Sequence, residues 1–267
     1  MTRAWKARAG LRSGVVDAVV SALAAQQDEL SGLLGALDDA GWQAPTRCEG
    51  WDVADVVLHL AQTNEMAIGS ATGRYAEVVA ELAQGLGPAG SVDDGAALMV
   101  ERQRGLATPE LLARWLSGAT RLLDELDGMD LSTRVTWVAG ELSARTLATT
   151  RLAETWIHAG DVAGALGVAL PPSESLRPIA RLAWRTLPYA FSSAGLTMSG
   201  PVAFLLTSPA GGAWDFVPDE QAATTIIRGP AAELCAVAAR RIDPSATSLR
   251  GEGPDADDIL ALVRTYA

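Results

Sequence analysis

Apolar residues recur at helical spacing from about Val15 to Leu37, through Leu23, Leu30, Leu33 and Leu34, and predict an amphipathic helix ending near Gly41-Trp42. Pro45 and Gly50 mark the next stretch as a loop. Asp52, with Asp55 three residues on, reads as an N-cap and approximate capping box. Val53, Val56, Val57, Leu60, Thr63, Asn64 and Ala67 carry that helix onward, and His59 falls near its Val56/Leu60/Thr63 stripe, facing inward. Residues 69–90 are glycine-punctuated, with a helical piece from Tyr75 to Leu82. Ser91 caps a helix expected to reach Leu106, and Thr108-Pro109-Glu110 starts another with Leu111, Leu112, Trp115, Leu122 and Leu126 on its apolar face. Arg134 to Val138 alternates at period two, a short strand. Ser143 caps a long helix through Leu166, ended by Gly167 and then Pro171-Pro172.

The pattern changes after residue 170. A helix is expected from Glu174 to Tyr189, followed by strands at Val202–Thr207, Ala213–Val217 and Thr224–Ile227. Gly229-Pro230 opens a helix over 231–241, and a short strand near 247–250 and a helix from Asp257 to Tyr266 finish the chain. The fold class is therefore α+β, with a four-helix bundle over 1–170 and a small α+β domain over 171–267.

Composition narrows the partners rather than the fold. Hydrophobic residues make up 49% and charged residues 20%, as in an ordinary globular protein. A net charge of −11 argues against nucleic acid and against an anionic membrane surface. Arg3, Lys6, Arg8 and Arg12 precede the apolar run Val15–Ala25, but Asp17 interrupts it, so we read a basic lead-in to a helix and not a targeting segment. Cys48 and Cys235 offer no disulfide framework, and a reducing cytoplasm is the expected compartment. A small-molecule substrate is the expected partner, and monomer or homodimer both fit.

The chain has two histidines. One lies in Glu154-Thr155-Trp156-Ile157-His158, where helical spacing stacks a carboxylate and an imidazole a turn apart. His59 lies on another inward helical face. A divalent ion with an open coordination position takes such a donor set, and facing bundle helices are a recurrent place for it. The residues alone leave a plainer alternative open, an i,i+4 polar pair and a separate core histidine.

The stretch Pro45-Thr46-Arg47-Cys48-Glu49-Gly50-Trp51-Asp52-Val53-Ala54-Asp55-Val56-Val57-Leu58-His59-Leu60 resembles a signature of the mycothiol-dependent maleylpyruvate isomerase family, within the DinB-like metalloprotein superfamily. Arg151 to Val162 is similar to its second signature, a Glu-x-x-x-His followed by Asp. The resemblance implies a DinB-like four-helix bundle followed by a sterol-carrier-like α/β domain. It implies that His59, Glu154 and His158 bind a divalent metal, zinc first, with nickel, iron or manganese as alternatives. Asp161 is then the candidate to orient an imidazole, and Arg240 or Arg241 matches a family arginine implicated in activity; these three are the catalytic candidates. Cys48 reads as packing, and Trp51 as packing at the helix start or a wall of the site. The activity implied is a mycothiol-dependent S-transferase or isomerase, with mycothiol as cosubstrate. An alanine-, arginine- and glycine-rich composition suits a high-GC actinobacterial source, where that thiol occurs. The alternatives are a thiol-independent Lewis-acid enzyme (hydrolase, lyase or cyclase) and a non-catalytic metal-binding protein.

Overall fold

In the computed structural model, residues 17–138, 140–219 and 221–265 are described. The basic lead-in with Arg3, Lys6, Arg8 and Arg12 lies outside them. The chain separates into two compact units at Leu170/Pro171.

In the first unit, helix α1 (Ala18–Leu34) starts at Asp17, whose carboxylate accepts from Val19 N at 2.9 Å. It stops before Gly35, short of the expected Leu37, and α2 (Asp39–Trp42) forms its own turn under an Asp38 cap. Helix α3 (Val53–Ala71) has a complete capping box: Asp55 N donates to Asp52 Oδ1 at 2.9 Å, and Asp52 N to Asp55 Oδ2 at 3.3 Å. Helices α4 (Tyr75–Leu82) and α5 (Val92–Gln103, capped by Ser91) follow. Helix α5 ends before the expected Leu106, where Gly105 turns the chain at a φ of 89°. Helix α6 (Thr108–Asp127) carries Pro109 in its first turn.

Strand β1 (Arg134–Trp137) pairs antiparallel with β2 (Gly140–Ser143). The sequence reading missed β2, because Gly-Glu-Leu-Ser has no apolar alternation to announce it. Helix α7 (Ala144–Ala165) follows, capped by Ser143. Helices α1, α3, α6 and α7 make the bundle, with Leu30, Leu34, Val53, Val56, Leu60, Trp115, Ala159 and Val162 in one shared cluster. An Arg145–Asp17 ion pair at 2.6 Å sets the starts of α1 and α7 side by side. Helix α7 is buried around most of its circumference, its buried alanines letting neighbours close in while Arg151, Thr155, His158 and Asp161 are buried among them.

In the second unit, the helix expected over 174–189 is three pieces. A 3₁₀ turn (Glu174–Leu176) leads into α8 (Arg177–Arg185), and the chain restarts as α9 (Leu187–Ser193) with Pro188 in its first turn. The proline lacks the N–H that a continuous helix needs at that point. Strands β3 (Val202–Thr207), β4 (Ala213–Phe216), β5 (Thr225–Pro230) and β6 (Arg250–Glu252) form one sheet in the order β4-β3-β5-β6. The β3–β5 pair is parallel and the other two are antiparallel, so the sheet is mixed rather than a run of hairpins. Helix α10 (Ala231–Ala238) follows β5 directly, and α11 (Ala256–Leu262) ends the unit. The strand expected at 247–250 lies later, since a 3₁₀ turn at Pro244–Ala246 takes up chain before it. The expected end of the last helix, Tyr266, is outside the described residues. The architecture is α+β, a helical bundle followed by a small α/β part. Among the described residues no helix is long and apolar enough to cross a membrane.

Candidate metal centre

Two helices and one loop bring the site together. His59 stands on α3 two turns after the capping box, and Glu154 and His158 on α7 a turn apart. His59 Nε2 lies 3.3 Å from Glu154 Oε2, and His158 Nε2 lies 3.6 Å from the same oxygen. Ligand atoms of the three residues all fall within 4.8 Å of one another. The imidazole rings meet edge to face at 5.0 Å. Both histidines are buried, and Glu154, with 24% of its side chain exposed, is the most open of the three.

Behind His158 sits a second group. Its Nδ1 is 3.0 Å from Asp161 Oδ2, and Cys48 Sγ donates to the same oxygen at 3.3 Å. A hydrogen on Nδ1 held by Asp161 leaves Nε2 pointing at Glu154, the tautomer a ligand histidine needs. Cys48 comes from a tightly bound loop. Thr46 N and Trp51 O bond at 3.0 Å, Trp51 N and Cys48 O at 3.0 Å, and Gly50 takes the left-handed φ of 74° that closes the turn. The same loop lays Trp51 against His59, ring centroids 5.2 Å apart.

Electrostatics reflect the crowding. Burial pushes Glu154 upward, but hydrogen bonds from His158 and His59, and their charge, outweigh it and hold its pKa well below 4.5. Burial pulls His158 downward, yet Asp161, Cys48 and Glu154 together raise it well above 6.5. His59 goes the other way, lowered chiefly by burial although Glu154 opposes the shift. These shifts favour a charged Glu154 carboxylate beside a protonated His158.

The structure brings His59, Glu154, His158 and Asp161 into one group. It places Arg240 and Arg241 at the end of α10 in the second unit. Arg240 adopts a φ of 58° and donates to Ala261 O at 2.7 Å, and Arg241 donates to Ala239 O at 3.1 Å. Cys48 corrects the sequence reading: it is half-buried against Asp161 and His158, more than loop packing. A cleft of about 370 Å³ elsewhere in the bundle, floored by Ile68, Val78 and Leu82, has none of the candidate site residues in its lining.

Residues 23–163 match the family described as the Mycothiol maleylpyruvate isomerase N-terminal domain. The chain belongs to this family. Within it, two relatives are uncharacterized proteins of Mycobacterium tuberculosis, from strains CDC 1551 and H37Rv. Each is 33% identical over 249 residues, covering 93% of this chain and 95% of the relative. Two crystal structures of mycothiol-dependent maleylpyruvate isomerase, one of a histidine-to-alanine mutant, share the fold. Their TM-scores are 0.57 and, for the mutant, 0.56, at 19% and 18% identity, covering 89% of this chain and 94% of theirs.

The sequence reading of this family member left Trp51 open between packing at the helix start and a wall of the site, and its ring lies against His59; it passed over Arg151. Arg151 precedes Glu154 and His158 by three and seven residues, which places it on their face of α7, and it is 0% exposed. Its signal was present: a charge at an inward position, three and seven residues before Glu154 and His158.

Proposed function

We propose that this protein is a divalent-metal-dependent enzyme that uses a thiol cosubstrate, mycothiol, to isomerise or transfer sulfur onto an activated small molecule. The observation that carries the reading is the convergence of His59 Nε2, Glu154 Oε2 and His158 Nε2. Donors bonded at about 2.1 Å to a tetrahedral ion stand about 3.4 Å apart, and the two Glu154 contacts measure 3.3 and 3.6 Å. Two imidazoles and one carboxylate also leave one position of four for a ligand, as catalytic zinc sites do.

His59, Glu154 and His158 would hold the ion. A divalent ion there supplies a positive charge that keeps a bound thiol as its thiolate at neutral pH. Asp161 holds the His158 ring in the orientation that presents Nε2. Glu154 lowers the net charge of the site, and Trp51 with the buried ring faces keeps water from His59. Family membership and the crystal structures sharing the fold support the thiol; zinc is our first choice of ion. Arg240 and Arg241 remain proposed for activity, which Arg241→Ala tests.

Metal analysis after expression in zinc-supplemented medium is the test, paired with thermal shift on mycothiol. We expect about one ion per chain in the wild type, loss of it in His158→Ala, and a mycothiol-induced shift only in the loaded protein. Equal metal in both proteins removes the site; a thiol shift in metal-stripped protein removes the proposed use of the ion.

A further inference from the structure

A second donor group stands on the far side of one of the three proposed ligands. Cys48 Sγ, an oxygen of Asp161 and a ring nitrogen of His158 also lie within 4.8 Å of one another. His158 belongs to both groups and turns a different nitrogen to each, Nε2 to Glu154 and Nδ1 to Asp161. Asp161 Oδ2 is 3.0 Å from that Nδ1 and 3.3 Å from Cys48 Sγ. Around a tetrahedral ion, bonds of about 2.1 Å from nitrogen and oxygen and about 2.3 Å from sulfur place N and O about 3.4 Å apart, and S and O about 3.6 Å apart. A small outward shift of the Asp161 carboxylate opens both separations to those values.

The thiol is held in place by its loop. Cys48 N donates to Thr46 Oγ1 at 3.2 Å, and Cys48 O accepts from Trp51 N at 3.0 Å. Thr46 in turn donates to Trp51 O from both its hydroxyl, at 2.8 Å, and its backbone N–H, at 3.0 Å. Of the three donors Cys48 is the most open, half-buried where His158 and Asp161 are buried. Cys235 makes the contrast: it is fully buried, donates only weakly to Leu176 O at 3.8 Å, and belongs to no such donor group among the described residues.

A carboxylate alone suffices to orient a ligand histidine, and an S–H is a weak donor that adds little to it. A thiolate, by contrast, is the donor that thiophilic ions take in preference to oxygen, and it is absent from the His59/Glu154/His158 set.

We propose that Cys48 Sγ, His158 Nδ1 and Asp161 Oδ2 form a second cation site, selective for a thiophilic divalent ion such as zinc, cobalt or cadmium. Binding forms a metal–sulfur, a metal–nitrogen and a metal–oxygen bond, and the hydrogens of the Cys48 thiol and of His158 Nδ1 leave to solvent as protons. No electron changes hands. The site needs neither His59 nor Glu154, so it goes beyond the enzyme reading above and does not depend on it. When both groups are filled, the His158 ring bridges two dications that repel one another, so whichever ion binds second is held more weakly. About one ion therefore survives purification, and the second is added back in titration.

Cobalt(II), titrated into metal-free full-length protein without oxygen or added thiol, is the probe. The proteins are wild type, His59→Ala, Cys48→Ser and Cys235→Ser, with Tm measured on each. The His59/Glu154/His158 set contains no sulfur, so a near-ultraviolet thiolate-to-cobalt charge-transfer band reports the Cys48 site alone. We expect the wild type to take about two ions and show the band, and Cys235→Ser to do the same. His59→Ala should keep the band with about one ion. Folded Cys48→Ser should lose the band and one ion.

A wild type saturated with cobalt but lacking the band overturns the proposal, whether or not the variants fold. So does a band that persists in Cys48→Ser or disappears in Cys235→Ser, since either assigns the sulfur elsewhere. A His59→Ala protein that keeps the band and loses no ion upholds the Cys48 site and removes the three-donor cluster instead.

Discussion

His158 stands between two carboxylates, which favour its protonated form. Asp161 Oδ2 takes its Nδ1 side at 3.0 Å and Glu154 Oε2 its Nε2 side at 3.6 Å. Its folded pKa lies well above 6.5, so its contribution to the stability of metal-free protein is complete below 6.5 and is lost as pH rises through the raised value. Glu154, depressed below 4.5, contributes above 4.5 and loses that as pH falls. His59 is depressed too, and costs stability as pH falls below 6.5. Urea unfolding in chelator should therefore show stability declining from pH 6.5 upward. The zinc-loaded protein should show the reverse, because binding expels the His158 proton and strengthens as pH rises. Parallel slopes in the two forms would mean that the ion does not compete for that proton. On the other face of the ring, Asp161→Asn should weaken zinc about 10- to 100-fold, and Cys48→Ala about tenfold, in competition with a chromophoric chelator. The inward positions of His59, Glu154 and His158 were legible from spacing because a helix repeats every 3.6 residues; that they share an ion came from the family resemblance and is proposed. Cys48 was not, since its place depends on how the 45–52 loop folds back onto α7, which no periodicity records.

Helix α3 carries much of the site's precision, and its start is fixed by a short set of bonds. Asp52 and Asp55 close the capping box, while Arg104 Nε holds Asp55 Oδ1 at 2.9 Å and Arg104 Nη2 reaches Gly50 O at 3.2 Å. Asp52→Ala should cost about 1 kcal/mol of stability in chemical denaturation. Zinc stoichiometry should be retained, since Arg104 still anchors the turn. Loss of zinc from a folded Asp52→Ala protein would show that the cap, not the arginine, sets where His59 stands. At this scale the sequence pattern located the helices and failed at their ends and in their breaks. Ser91, Ser143 and Asp52 were readable because a cap is a local bond between a side chain and a nearby N–H. The Leu187-Pro188 break and the Gly105 turn were not read from apolar spacing, which runs through both. Strand β2 needed its partner β1 to exist at all.

The two units divide the work in a way that calorimetry can separate. All proposed donors lie in the first unit, and the second has its own sheet, core and turns. One of those turns is Gly253, at φ 107°, where an added Cβ would come 2.2 Å from Thr224 O. A ligand stabilises the folding unit that binds it, by about 2.7 kcal/mol at a concentration 100 times its Kd. For a unit of this size that is a rise of about 5–10 °C in Tm. Scanning calorimetry with zinc and with chelator should therefore move one transition and leave the other in place. Gly253→Ala should lower the transition that zinc leaves alone, with no change in metal content, because no side chain can be placed there without moving the backbone beside it. Should zinc and Gly253→Ala displace a single common transition, the units fold as one, and the second unit contributes to the stability of the first. The family signatures would not have disclosed that coupling, because both lie within the first unit.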